Sequence, residues 1–238
     1  MSDTAPQPRM NPLYPVLVLL GGSVLWGLSW MPLKYFGRYG LAGVSVTLVG
    51  HGSVGALALP WLWRRRQYWQ AHWRQFLLLS AVGGLANLAY ASAIVSGDVV
   101  RVMVLFYLLP AWGVLGGWLL LGERVDLIRK LSVLAALSGA YLILGGSSVL
   151  AQRPSLSDAM AVLSGLALAT NNVLFRKFSL LPVPDKIAGM FAGCLLWTAP
   201  LTLLAVTPLP EGVPPAIWLE LSGFGLLWLF VATIGTQW

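Results

Sequence analysis

The chain has 238 residues, 58% of them hydrophobic and only 10% charged, with a mean hydropathy of +0.77; a soluble domain carries roughly 25% charged residues, so a water-soluble fold is excluded. The formal charge of +7 and pI near 9.9 would suit nucleic acid, but the basic residues fall between apolar runs, as in the loops of membrane proteins, and no nucleic-acid partner is read. A single cysteine, Cys194, excludes an intrachain disulfide and a cysteine metal cluster.

In chain order, residues 1–13 form a polar, proline-bearing tail. The uncharged stretches that follow are each long enough to cross ~30 Å of hydrocarbon as a helix rising ~1.5 Å per residue. The first lies between Arg9 and Lys34 and, lacking a small-residue cleavage site, reads as a retained helix rather than a signal peptide. The second runs from Leu41 to Trp63 and stops at Arg64, Arg65 and Arg66; the third runs from Gln75 to Gly97. The fourth encloses 21 uncharged residues between Arg101 and Arg124. There Tyr107, Pro110, Gly113 and Gly117 share one helical face, expected to look inward because Pro110 leaves a carbonyl without its helical donor. Gly113 and Gly117 form a GxxxG pair that lets another backbone come close. The fifth stretch is Leu131 to Gln152, the sixth Ser155 to Arg176 and Lys177, the seventh Ile187 to about Ala205, and the eighth starts near Ala216.

The loops fix an orientation. With a cytoplasmic N-terminus, eleven basic residues fall inside and four outside, a positive-inside bias that sets the N-terminus of this multi-pass chain, expected in the inner membrane, on the cytoplasmic side. A shift of 143 residues lays Gly21–Phe36 over Ser164–Ser179 and matches Gly22 with Gly165, Ser29 with Asn172 and Lys34 with Lys177. Five spans then make one unit, 14–152. An odd number forces the second unit, 153–238, to enter the membrane from the opposite side, the inverted-repeat plan of many secondary transporters.

Two segments, LLGGSVLWGLSWMPLKYF in the first span and LFYLLPAWGVLGGWLLLGERV in the fourth, carry a resemblance to the drug/metabolite transporter superfamily, in particular its EamA-type members. The shared features stand here as Trp26, Gly27, Pro110, Gly122 and Glu123. The resemblance implies an all-α polytopic fold of ten helices in two inverted five-helix units. It also implies a central cavity lined by the first, third and fourth helices of each unit, and export of a small metabolite such as an amino acid. About eight of the ten helices are expected here, since aligning Phe76–Asn87 with the last residues sets Trp238 opposite about Asn87. The second unit is then incomplete, and a non-transporting scaffold or truncated fragment is the alternative reading.

Polar groups in apolar spans are functional candidates by default. The expected substrate path comprises Trp26, Ser29, His51, Asn87, Tyr90, Tyr107, Pro110 and Asn172; Asn171, about 100° round from Asn172, is expected to pack. The eight acids all fall in loops or at helix ends, so no buried carboxylate is expected to carry protons. Lys34, Arg176 and Lys177 are expected to snorkel to headgroups, and Glu123 to fix the turn between the fourth and fifth spans. No HExxH, GxSxG or phosphate-cradling glycine loop is present, so no enzyme chemistry and no cofactor are read. The expected partners are the bilayer and a small-molecule substrate; a homo-oligomer is left open.

Overall fold

The third span, Arg66–Ser96, is the axis of the helical bundle. In the computed structural model, which describes residues 13–146 and 153–237, 67% of its most apolar window is buried, against 17% in the first span and 6% in the fourth. The fourth span, richest in sequence signals, is therefore peripheral. Among the described residues every regular element is a helix. Seven spans are long and apolar enough to cross a membrane: Leu13–Gly37, Gly43–Arg64, Arg66–Ser96, Val99–Leu121, Leu156–Lys177, Val183–Leu203 and Pro215–Thr236. The fifth predicted stretch forms a 17-residue helix, Leu127–Ile143. Most of the N-terminal tail with Arg9, the end of the fifth stretch at 147–152, and Trp238 lie outside the described residues. This is an all-α polytopic membrane protein.

Glycines set the helix crossings, as expected where lipid supplies no hydrophobic drive between helices and close backbone packing must do so. A Cβ at Gly193 of the seventh span would overlap the carbonyl of Ser80 in the third, and one at Gly84 would overlap Gly193. The second and eighth spans cross in the same way, since a Cβ at Gly225 would overlap the Gly50 carbonyl. Gly50 and Gly193 are separated by the 143-residue shift. The first span packs on the eighth, where a Cβ at Gly22 would sit 3.0 Å from Gly235 C, and the sixth packs on the third, where Ser164 Oγ donates to Ala86 O at 2.9 Å. Exchanging spans one, two and three with six, seven and eight thus maps one set of contacts onto the other.

Span ends are tied by charge. Asp158 serves the sixth span twice: Ser155 Oγ accepts from its N–H at 3.1 Å, and its own carboxylate accepts from Ser155 N–H at 2.9 Å. This reciprocal cap satisfies two otherwise orphaned donors. The same carboxylate takes Arg101 Nε at 2.6 Å and Nη2 at 2.9 Å, a two-pronged pair that binds the sixth span to the fourth. At the arginine-rich end Asp185, fully buried, accepts from Arg65 Nε at 2.8 Å, and this hydrogen bond raises the Arg65 pKa above its ordinary value. Buried carboxylates therefore exist, contrary to expectation, but in the first turn of the sixth and seventh spans rather than mid-membrane. Asp158→Ala removes a cap and an ion-pair partner together and is expected to cost about 2–3 kcal/mol, measurable as a lowered melting temperature in detergent.

The lysines and Arg176 also depart from expectation. Lys34 Nζ donates to Val95 O at 3.2 Å and Gly97 O at 2.6 Å, and Lys177 Nζ donates to Leu120 O at 2.9 Å. Arg176 pairs with Glu123. Rather than reaching for headgroups, each lysine caps the carbonyl end of a neighbouring span, where the helix dipole concentrates negative charge. Lys34 and Lys177 are the pair matched by the repeat shift.

Candidate functional site

Two spans break beside one another. The first is a helix to Leu28, turns at Ser29 and resumes at Trp30. The fourth is a helix over Val99–Phe106, turns at Tyr107 and Leu108, and resumes at Leu109. Each break stands within a turn before a proline, Pro32 and Pro110, whose rings bring no N–H to carbonyls 28 and 106. The Phe106 carbonyl oxygen lies 2.7 Å from the point a Cβ at Gly165 would occupy. It is accommodated against the sixth span only because residue 165 is glycine.

The buried Tyr90 of the third span sits between the two breaks. Its hydroxyl is 3.2 Å from Ser29 Oγ and donates to Met103 Sδ at 3.7 Å, while Ser29 Oγ donates to Trp26 O at 2.7 Å. The Tyr90 ring meets Trp26 edge-on at 6.5 Å and Phe106 at 5.0 Å, and Phe106 in turn meets Tyr107 at 5.4 Å. A cavity of about 600 Å³ adjoins this cluster, walled by Trp30, Met103 and Tyr107 and by Gly139 and Ala140 of the fifth helix. Its size suits a small organic molecule. Trp26, Ser29, Tyr90 and Tyr107 are thus brought together; Met103, Phe106 and Trp30 join them without having been singled out. Pro32, spaced from Ser29 as Pro110 is from Tyr107, is the sequence signal that could have found them.

The other candidates lie elsewhere. Asn87, 6% exposed, donates from Nδ2 to Gly83 O at 3.1 Å, in the layer where the third, sixth and seventh spans meet. Asn171 is fully buried in that layer with Nδ2 against Met190 Sδ at 3.2 Å, while Asn172 is only partly buried. His51 ends a π-helical turn over Thr47–His51 and packs 6.0 Å from the Phe191 ring, with no hydrogen-bond partner on either nitrogen among the described residues. Pro110 and Tyr107 are exposed and Gly113 has open space around it, whereas Gly117 is buried, so the four residues of the predicted inward face do not share one environment. Among the described residues no other helix backbone lies within 4 Å of the Cβ position of Gly113 or Gly117, and Gly116 meets the Val173 side chain of the sixth span.

Gly117, Gly122 and Glu123 form one structural unit. Gly122 has φ +69°, a left-handed conformation that glycine adopts without strain, and it ends the fourth span. The chain then folds back so that Glu123 N–H reaches Gly117 O at 3.1 Å, and Glu123 Oε2 lies 2.8 Å from the Cβ point of Gly117. The carboxylate accepts from Arg129 at 3.2 Å and pairs with Arg176. Gly27, one residue after Trp26, also has open space around it.

Discontinuous spans that meet at a buried polar cluster beside a cavity are the arrangement of membrane transport proteins. A family model, the EamA-like transporter family, matches residues 13–145. The chain belongs to this family and is a multi-pass membrane transporter of the drug/metabolite type. No curated protein matches it.

Proposed function

We propose that the chain is a secondary transporter or facilitator that exports small metabolites, amino acids or related compounds, across the inner membrane by alternating access, with its N-terminus in the cytoplasm. The observation that carries the reading is the pair of broken spans at Ser29 and Tyr107–Leu108 around the Tyr90 hydroxyl. Irregular backbone at membrane depth is tolerated where it lines a cavity, and it presents peptide dipoles to a polar cargo. The two units are 14–152 and 153–238, inverted with respect to one another. The exchanged contacts of spans two with eight and seven with three support that relation, as does a family match confined to 13–145.

Transport is downhill. Hydroxyls, a thioether and aromatic rings surround the broken spans, and the buried carboxylates of Asp158 and Asp185 are engaged in ion pairs at span ends. In vesicles loaded with unlabelled amino acids, counterflow of the radiolabelled compound is expected to persist when the proton gradient is dissipated. Collapse of counterflow on dissipation would overturn downhill transport; no counterflow with any amino acid would overturn the cargo class.

A further inference from the structure

A cavity of about 810 Å³ forms a groove between the second, seventh and eighth spans, and every side chain lining it is apolar. Val54 and Phe191 line it together with Phe230 and Ile234, and Ala58 and Trp61 continue it towards the end of the second span. From Val54 to Arg64 the helix rises ~15 Å, half of a ~30 Å hydrocarbon core, so the groove is one leaflet deep. It belongs to neither the Tyr90 cluster nor its cavity.

The rim is cationic and aromatic. Three arginines stand in succession where the second span passes into the third: Arg64 ends the second, Arg65 makes the turn and Arg66 opens the third. The Arg65 guanidinium lies 4.9 Å from the centroid of Trp61, itself a groove wall, and 4.5 Å from that of Tyr68. Its charge is taken by Asp185. Arg64 and Arg66 are exposed and, among the described residues, have no carboxylate within ion-pair distance; Arg66 lies 5.1 Å over Trp63. Tryptophans at this level mark the membrane–water interface. An occupant must therefore be apolar for the depth of one leaflet and anionic at its outer end.

We propose that this groove is a specific site for one anionic phospholipid, with acyl chain against Val54, Ala58 and Phe191 and phosphate between Arg64 and Arg66. A basic residue near the headgroup region contributes about fivefold in affinity for anionic lipid.

The test is native mass spectrometry of the full chain in mild detergent, titrated with dioleoyl phosphatidylglycerol or dioleoyl phosphatidylcholine. The expected result is one retained phosphatidylglycerol, bound at least tenfold more tightly than phosphatidylcholine. Arg64→Gln with Arg66→Gln, both exposed and tolerant of change, is expected to erase that preference, and Ala58→Trp to prevent retention of either lipid. Equal retention of the two lipids, retention undiminished in both variants, full competition by free glycerol phosphate, or a dimer that Ala58→Trp dissociates would each overturn the proposal. Should Ala58→Trp fail to fold, the arginine variant decides alone.

Discussion

Gly193→Val is expected to leave no folded chain in detergent. The Cβ of any residue at 193 would overlap the Ser80 carbonyl, a backbone atom of the most buried span, and Gly84 lies against Gly193 from the same side. Neither helix can give way locally, because the sixth span also packs against the third and its Ser164 holds Ala86 O. The crossing must open along its length, at a cost of about 3 kcal/mol or more. Size-exclusion profile and melting temperature provide the readout. Gly113→Ala is the control: nothing lies within 4 Å of its Cβ position, and the gain in helix propensity makes the variant neutral or slightly more stable. A Gly193→Val chain that melts with the unaltered protein would mean that the third and seventh spans do not cross there.

Tyr90→Ala is expected to abolish transport, and Tyr90→Phe to separate the reasons. The alanine variant loses the ring that Trp26 and Phe106 rest on, along with the hydroxyl that reaches Ser29 and Met103. Removing a buried aromatic ring costs about 3–5 kcal/mol, so its loss of activity mixes folding with function. The phenylalanine variant keeps the ring. It is expected to melt within ~1 kcal/mol of the unaltered chain while counterflow falls about tenfold, the equivalent of one hydrogen bond of ~1.4 kcal/mol. Ser29→Ala, which leaves the Tyr90–Met103 contact in place, should produce a fall no larger than that of Tyr90→Phe, and the double variant less than the sum of the two, because both remove the Ser29–Tyr90 contact. Additive losses would place Ser29 and Tyr90 in separate roles.

The sequence made the spans legible and left their angular placement open. Charge-free stretches located six of the seven spans to within about four residues, because a charge inside hydrocarbon is costly enough to mark a boundary, while the third span starts at Arg66, nine residues before the expected Gln75. The Gly-Glu pair was legible through the family resemblance, as the motif that closes the fourth span. The face of the fourth span was not. Counting residues at a fixed period carries phase correctly through a continuous helix, but Pro110 resets it at Tyr107 and Leu108, and Tyr107 emerges on the exposed side. Partners were hidden for a different reason: the lysine matches at 34 and 177 were visible, but the carbonyls they cap belong to spans 61 or 57 residues away. The burial of Asp185 was equally hidden, since its cation sits 120 residues earlier in the chain.

The central position of the third span sets a timetable for biogenesis. Its packing surfaces, including Ser80, Gly83, Gly84 and Asn87, are covered by the sixth and seventh spans. The last of these ends at Leu203, so about a hundred residues separate the end of the axis from the completion of its walls. At ~5–20 residues per second that is roughly 5–20 s during which a polar, glycine-rich helix waits in the insertion machinery or in lipid. Slowing translation between Ser96 and Leu203 therefore lengthens the interval in which membrane proteases can recognise the nascent protein.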